Sequence, residues 1–141
     1  RVIPDERGRL MEMLRSDDPE FTKFGQVYLT TAYPGVVKGW HWHTKQIDNM
    51  IVVAGMMKIV LHDRRPDSPT KGETMEICAG EHNPVRIRIP AGVCHGFMCV
   101  SPVEALVVNV PTEVYRYDDP DEFRIDPHSG EIPYDWRRKD R

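Results

Sequence analysis

Twelve prolines and ten glycines interrupt this 141-residue chain every few positions, which leaves little room for long helices. Between these breakers lie short runs rich in β-branched and aromatic residues, at 26–31, 36–43, 49–53, 56–62, 73–78, 85–89, 95–100 and 104–110. Eight such runs predict an all-β sandwich or barrel. The clearest is 85–89, where Val85, Ile87 and Ile89 alternate with Arg86 and Arg88, the period-two pattern of a strand with one buried and one wet face. The opening segment 10–24 predicts a short helix that ends at Pro19. From 112 onward the composition shifts toward Pro, Asp, Glu and Arg. That stretch still carries Tyr115, Tyr117, Phe123, Ile125, Ile132, Tyr134 and Trp136, too many large apolar groups for a disordered linker. The expectation is one domain over 1–141, with a core at about 24–111 and an extension at 112–141 that packs across it.

Charge and composition narrow the function classes. With 19 Lys and Arg against 22 Asp and Glu there is no global basic field, so the reading excludes nucleic acid as a partner. The longest apolar run, Met50 to Met57, is far short of the roughly 20 residues a bilayer-spanning helix needs, and no membrane partner is expected. Cys78, Cys94 and Cys99 form no Cys-x-x-Cys pair, which argues for free thiols in a reducing compartment. No signal-peptide pattern opens the chain, so the expected location is cytoplasmic.

The densest chemistry lies in Gly35-Val-Val-Lys38-Gly39-Trp40-His41-Trp42-His43, in the following Gln46 and Asp48, and in the later Pro90-Ala-Gly92-Val-Cys-His95. Residues two apart on a strand share a face, so His41 and His43 point together into the interior while Trp40 and Trp42 point away. Asp48 differs in parity and needs a turn near Thr44 and Lys45 to join them; His95 must arrive from a distant strand. Imidazoles with a carboxylate suit either proton transfer or a divalent metal. His62, His82 and His128 read as loop or surface residues.

This spacing resembles the two motifs of the cupin barrel, which implies a double-stranded β-helix, or jelly roll, with short N- and C-terminal extensions. A longer ordered set resembles the dTDP-4-dehydrorhamnose 3,5-epimerase family: Asp5-Glu-Arg7-Gly8, Phe24-Gly-Gln26, Gly35-Val-Val-Lys38-Gly39-Trp-His41, Gln46, Asp63-Arg64-Arg65, Ser68-Pro69-Thr70-Lys-Gly72, Ile89-Pro90-Ala-Gly92-Val-Cys-His95-Gly96-Phe97 and Thr112-Glu-Val-Tyr115. The resemblance implies a cytoplasmic homodimer, its Arg1 to Leu14 segment pairing with a neighbour's sheet edge, acting on a nucleotide-diphosphate sugar without a metal. It makes His41 the base that removes a proton beside a 4-keto group, oriented by Asp126. It places Arg7, Gln26, Lys38, Gln46, His95, Asn109 and Tyr115 around the substrate, with Arg7 reaching the partner's site.

Three departures from that family pattern matter. Asn109 stands where the family has its proton-donating Tyr, so chemistry at a single carbon, C3 or C5, is expected, with Tyr115 and Tyr134 the first alternative donors. Asp48 replaces an enolate-stabilising Lys, and His43 replaces a Gln. Together these changes restore a cupin metal set of His41, His43, Asp48 and His95, the alternative to a metal-free base; a divalent ion would supply the missing positive charge. A 3,4-ketoisomerase and a non-catalytic sugar-nucleotide-binding cupin are the further alternatives.

Overall fold

The computed structural model describes residues 1–139. Its strands are β1 (Val2–Asp5), β2 (Gly8–Met11), β3 (Tyr28–Ala32), β4 (Val37–Trp42), β5 (Asp48–Ala54), β6 (Met56–Asp63), β7 (Thr74–Gly80), β8 (Arg86–Ile89), β9 (Val93–Cys99), β10 (Ala105–Asn109) and β11 (Phe123–Arg124). Every run expected from the sequence is a strand, with ends shifted by two residues at most. A four-stranded sheet in the order β3-β10-β5-β8 faces a five-stranded sheet in the order β11-β4-β9-β6-β7, and all pairings are antiparallel. Met50, Val52, Ile59, Ile89, Phe97 and Val107 fill the space between them. The fold is an all-β cupin jelly roll. No helix among the described residues is long and apolar enough to cross a membrane.

The helix expected within 10–24 is absent: Leu10 and Met11 belong to β2, and the chain runs without regular structure from there to β3. The cause is the turn before it. The Arg7 N–H donates to Asp5 Oδ1 at 2.8 Å, and Gly8 takes a φ of +137° that other residues rarely adopt, so the chain folds back as a β1–β2 hairpin. This hairpin pairs with neither main sheet.

The extension covers the outer face of the five-stranded sheet and gives it a strand, β11, paired to β4. Trp40, 0% exposed, packs against Trp136 at a ring separation of 4.9 Å, and Lys58 Nζ donates to the Trp136 carbonyl at 2.9 Å. Such closeness requires two glycines. A Cβ on Gly39 would stand 2.9 Å from the Gly96 Cα, and one on Gly96 would stand 3.1 Å from the Trp136 ring.

His62 is a correction to the surface reading: it is buried on β6, its Nδ1 2.8 Å from Thr74 Oγ1. Asp63 explains another part of the sequence signature. Its carboxylate accepts from Arg65 Nη2 at 2.7 Å, Ser68 Oγ at 2.6 Å and Thr70 Oγ1 at 2.7 Å, and Arg65 foremost holds it well below the usual carboxylate range. The Asp63-Arg64-Arg65 and Ser68-Pro69-Thr70 residues thus shape the β6–β7 loop.

Candidate active site

A register shift in β4 builds one wall of the site. Lys38 pairs with Phe97 and His41 with His95, three residues on β4 against two on β9. In a regular strand Lys38 and His41 would face opposite sides; the extra residue turns both toward the space between the sheets. His43, two further on, shares their side. Across from them the four-stranded sheet presents Tyr28 and Thr30 from β3 and Met50 from β5, and all of these line one cleft of about 540 Å³.

The floor of the cleft is a buried polar cluster. Asp48, 1% exposed, accepts from Gln46 Nε2 at 2.8 Å and Asn109 Nδ2 at 2.7 Å through Oδ1. Its Oδ2 lies 3.3 Å from His43 Nε2 and 3.5 Å from His95 Nε2 and has no aligned hydrogen bond. The other nitrogen of each ring is committed: His43 Nδ1 donates to the Asp121 carbonyl, and His95 Nδ1 donates to the Val93 carbonyl at 3.1 Å. Carbonyls only accept, so Nδ1 carries a proton in both rings and each Nε2 is turned toward the carboxylate, that of His43 also lying 3.3 Å from Gln46 Nε2. Burial alone would push His43 down, but Asp48 holds it above its ordinary value; burial of His95 dominates and pushes it below.

The turn required to bring Asp48 around is fixed from outside β4 and β5. Asp121 accepts from the backbone N–H groups of Thr44, Lys45 and Gln46 and from the Thr44 hydroxyl. Burial pushes the Asp121 carboxyl up, but these four donors outweigh it and hold it at about 2. The sequence analysis missed Asp121, because nothing in a Pro- and Asp-rich stretch marks one carboxylate as the partner of a distant turn.

His41 is set apart from this cluster. Its ring makes no hydrogen bond to a described residue, and burial, reinforced by His95, pushes its pKa down to about 4, so it is neutral near pH 7. Asp126, the residue expected to orient it, is exposed, and its Oδ1 accepts the His128 N–H at 2.8 Å. The chain turns away after Ile125, which pairs with Trp40. The acid lining the cleft with His41 is instead Glu122, tied to Arg124 Nη2 at 2.6 Å. The four-residue metal set also contracts. Only His43, Asp48 and His95 bring ligand atoms within 4.8 Å of one another, and His41 stays outside.

The remaining expected residues divide. Lys38 and the buried His95 line the cleft, Lys38 Nζ 3.3 Å from Thr30 Oγ1, while Gln46 and Asn109 are buried beside Asp48. Gln26 and Tyr115 line a second cleft of about 610 Å³ that shares Tyr28, His43 and Glu122 with the first, and Gln26 Oε1 accepts the Tyr115 N–H at 3.2 Å. Arg7 sits at the tip of the hairpin, paired with Asp5 at 2.6 Å, and lines neither cleft of its own chain. Tyr134 lies on the outer face against Trp40 and Glu76, which removes it as a donor.

Residues 3–123 match the family model described as the polysaccharide biosynthesis C-terminal domain. The chain is 43% identical over 143 residues to the probable low-salt glycan biosynthesis epimerase Agl13 of Haloferax volcanii, covering 96% of this chain and 88% of that one. A dTDP sugar isomerase from Desulfovibrio desulfuricans superposes with a TM-score of 0.91 at 33% identity, over 99% of this chain and 88% of that one. A dTDP-6-deoxy-D-glucose-3,5-epimerase from Legionella pneumophila, solved with dTDP-4-keto-L-rhamnose, superposes with a TM-score of 0.83 at 27% identity, over 96% and 74%. With the jelly roll and the His-lined cleft between its sheets, these matches show that the chain belongs to the polysaccharide biosynthesis C-terminal domain family, among the sugar epimerases related to dTDP-4-dehydrorhamnose 3,5-epimerase.

Proposed function

We propose that this enzyme, an isomerase, epimerises a nucleotide-linked 4-keto-hexose by removing a proton beside the ketone, with His41 as the base. The observation that carries the reading is the place of His41: a neutral imidazole without a hydrogen bond to any described residue, on the wall of a cleft large enough for a hexose. A carbon acid beside a ketone yields to a base of this kind only if the enolate is also stabilised. Lys38 and Arg124, which line the same cleft, are the cations at hand. The adjoining cleft with Gln26, Tyr115 and the 93% exposed Tyr117 supplies polar groups and an aromatic surface for a nucleotide. Incubating the protein in deuterated water with dTDP- and UDP-linked 4-keto-6-deoxyhexoses should place solvent deuterium at C3, C5 or both, with inversion read by proton NMR. Absence of both across the panel would overturn the reading.

A second reading is favoured by the orphaned Asp48 Oδ2 facing the Nε2 atoms of His43 and His95. Two imidazoles and a carboxylate fit a divalent ion of the Zn, Fe or Mn kind, and His43, Asp48 and His95 would hold it. Such an ion would polarise the sugar's keto oxygen as a Lewis acid. His41 lies outside this triad, so the base and a metal are compatible in one site.

We also propose a cytoplasmic homodimer. The unpaired β1–β2 hairpin, with Ile3 42% and Leu10 58% exposed, supports pairing with a neighbour's sheet edge, which would carry Arg7 toward the other subunit. Light scattering at micromolar concentration should give twice the chain mass; a monomer would end this proposal.

A further inference from the structure

Inversion needs a base on one face of the enolate and a proton donor on the other, and the amide of Asn109 cannot deliver a proton. A phenol reaches the same spot from the neighbouring strand. Tyr28 and Asn109 are direct partners in the β3–β10 pairing, and Asn109 Nδ2 donates to the Tyr28 hydroxyl oxygen at 2.8 Å. Although Tyr28 is 39% exposed, its hydroxyl thereby meets a residue that is fully buried. A phenol oxygen that accepts from an amide keeps its own proton for another partner, and no described residue takes it.

The placement relative to His41 is the second argument. Both residues line the same cleft, but His41 stands on β4 of the five-stranded sheet and Tyr28 on β3 of the four-stranded sheet. A sugar ring held between the sheets therefore has an imidazole on one side and a phenol on the other. Tyr115, the alternative left by the sequence, lines only the adjoining cleft.

We propose that Tyr28 is the proton donor that completes inversion, positioned by Asn109; this rests on the reading of His41 as the base of an epimerase. An imidazole nitrogen of His41 takes the proton from carbon, and the C–H electron pair moves into the enolate. The enolate carbon then takes the phenolic proton from the opposite face, and the O–H electron pair stays on Tyr28 as phenolate. Water reprotonates the phenolate and removes the proton from His41, which restores both groups. Burial pushes the Tyr28 phenol above its ordinary value, so it holds its proton near pH 7, while the Asn109 N–H bond favours the charge that develops on the oxygen.

Tyr28→Phe keeps the ring and removes only the hydroxyl. In deuterated water with the same dTDP- and UDP-linked 4-keto-6-deoxyhexoses, the variant should wash deuterium into the substrate at close to the wild-type rate. Inversion should fall by about 10²- to 10⁴-fold, the usual contribution of a general acid. Its thermal midpoint, measured alongside, should fall by only a few degrees, because the one bond lost is that from the Asn109 amide, and the variant stays folded at the assay temperature. Inversion at the wild-type rate in Tyr28→Phe would overturn the donor role alone and leave the epimerase reading standing. Equal losses of wash-in and inversion would also overturn it, because they would mark Tyr28 as a binding residue. A wild-type protein that neither exchanges nor inverts would overturn both.

Discussion

His41→Asn should abolish turnover while leaving the fold intact. Asn fills much of the same space and keeps a polar end, but it cannot accept a proton from carbon, so the loss isolates the base. General-base groups contribute about 10²- to 10⁴-fold, and because the other two histidines of the cleft, His43 and His95, are buried and turned toward Asp48, the loss should sit at the upper end. Deuterium wash-in must vanish together with inversion, in contrast to Tyr28→Phe, because no enolate forms. The pH profile gives an independent check. Burial holds His41 at about 4, so the base form persists as pH falls from 7 to 5 and kcat/KM should stay level over that range. An imidazole at the ordinary value of about 6.5 would have lost most of its base form by pH 5. An acid limb near 6.5, or a His41→Asn variant that still exchanges, would remove His41 from this role.

Asp48→Ala should be the most destabilising single change in the site, by about 3 kcal/mol or more. The carboxylate is 1% exposed and is the shared acceptor of Gln46 and Asn109, so its removal leaves two buried amides short of a partner. It also removes the anion that keeps His43 above its ordinary pKa. Thermal or urea denaturation measures the effect, and elemental analysis of wild type against the variant reads the metal question in the same preparation. Metal at one equivalent per chain in wild type, lost in Asp48→Ala, would establish the His43, Asp48 and His95 centre. Metal-free wild type with full activity would exclude a catalytic ion. An unchanged or higher midpoint would show that the buried carboxylate is kept for chemistry at the expense of stability.

The strands were legible because alternation and breakers are local signals, as Val85 to Ile89 shows, with Ile87 and Ile89 buried and Arg86 and Arg88 partly exposed. His41, His43 and Asp48 were legible for the same reason, strand parity and a turn being countable in the sequence, whereas His95 joined them only through the resemblance to the second cupin motif. What escaped depends on partners far apart in the chain. β11 is two residues long among Asp and Pro, and only its pairing with β4 makes it a strand and brings Glu122, in place of Asp126, to the cleft. Tyr28 read as one aromatic in a strand, because its importance lies in the register that sets it beside Asn109. The helix expected near Pro19 failed because the Gly8 turn had already committed Leu10 to a hairpin.

The eight strands β3 to β10, all of the two facing sheets except β11, are complete by residue 109, yet Asp121, Glu122 and Arg124, which set the turn and the rim around His41, come later in the chain. During synthesis the sandwich can therefore close before its reaction chamber exists. A nascent chain at that stage would have His41 and His95 on their strands but lack the turn clamp that orients His43 and the acid facing His41. Competence to act on a sugar arrives as a separate event, when the later segment zips onto β4 and Trp136 seats over the glycine pair. A chain shortened before residue 121 should thus lack a finished site and leave Trp40, Val60, Cys94 and Met98 uncovered.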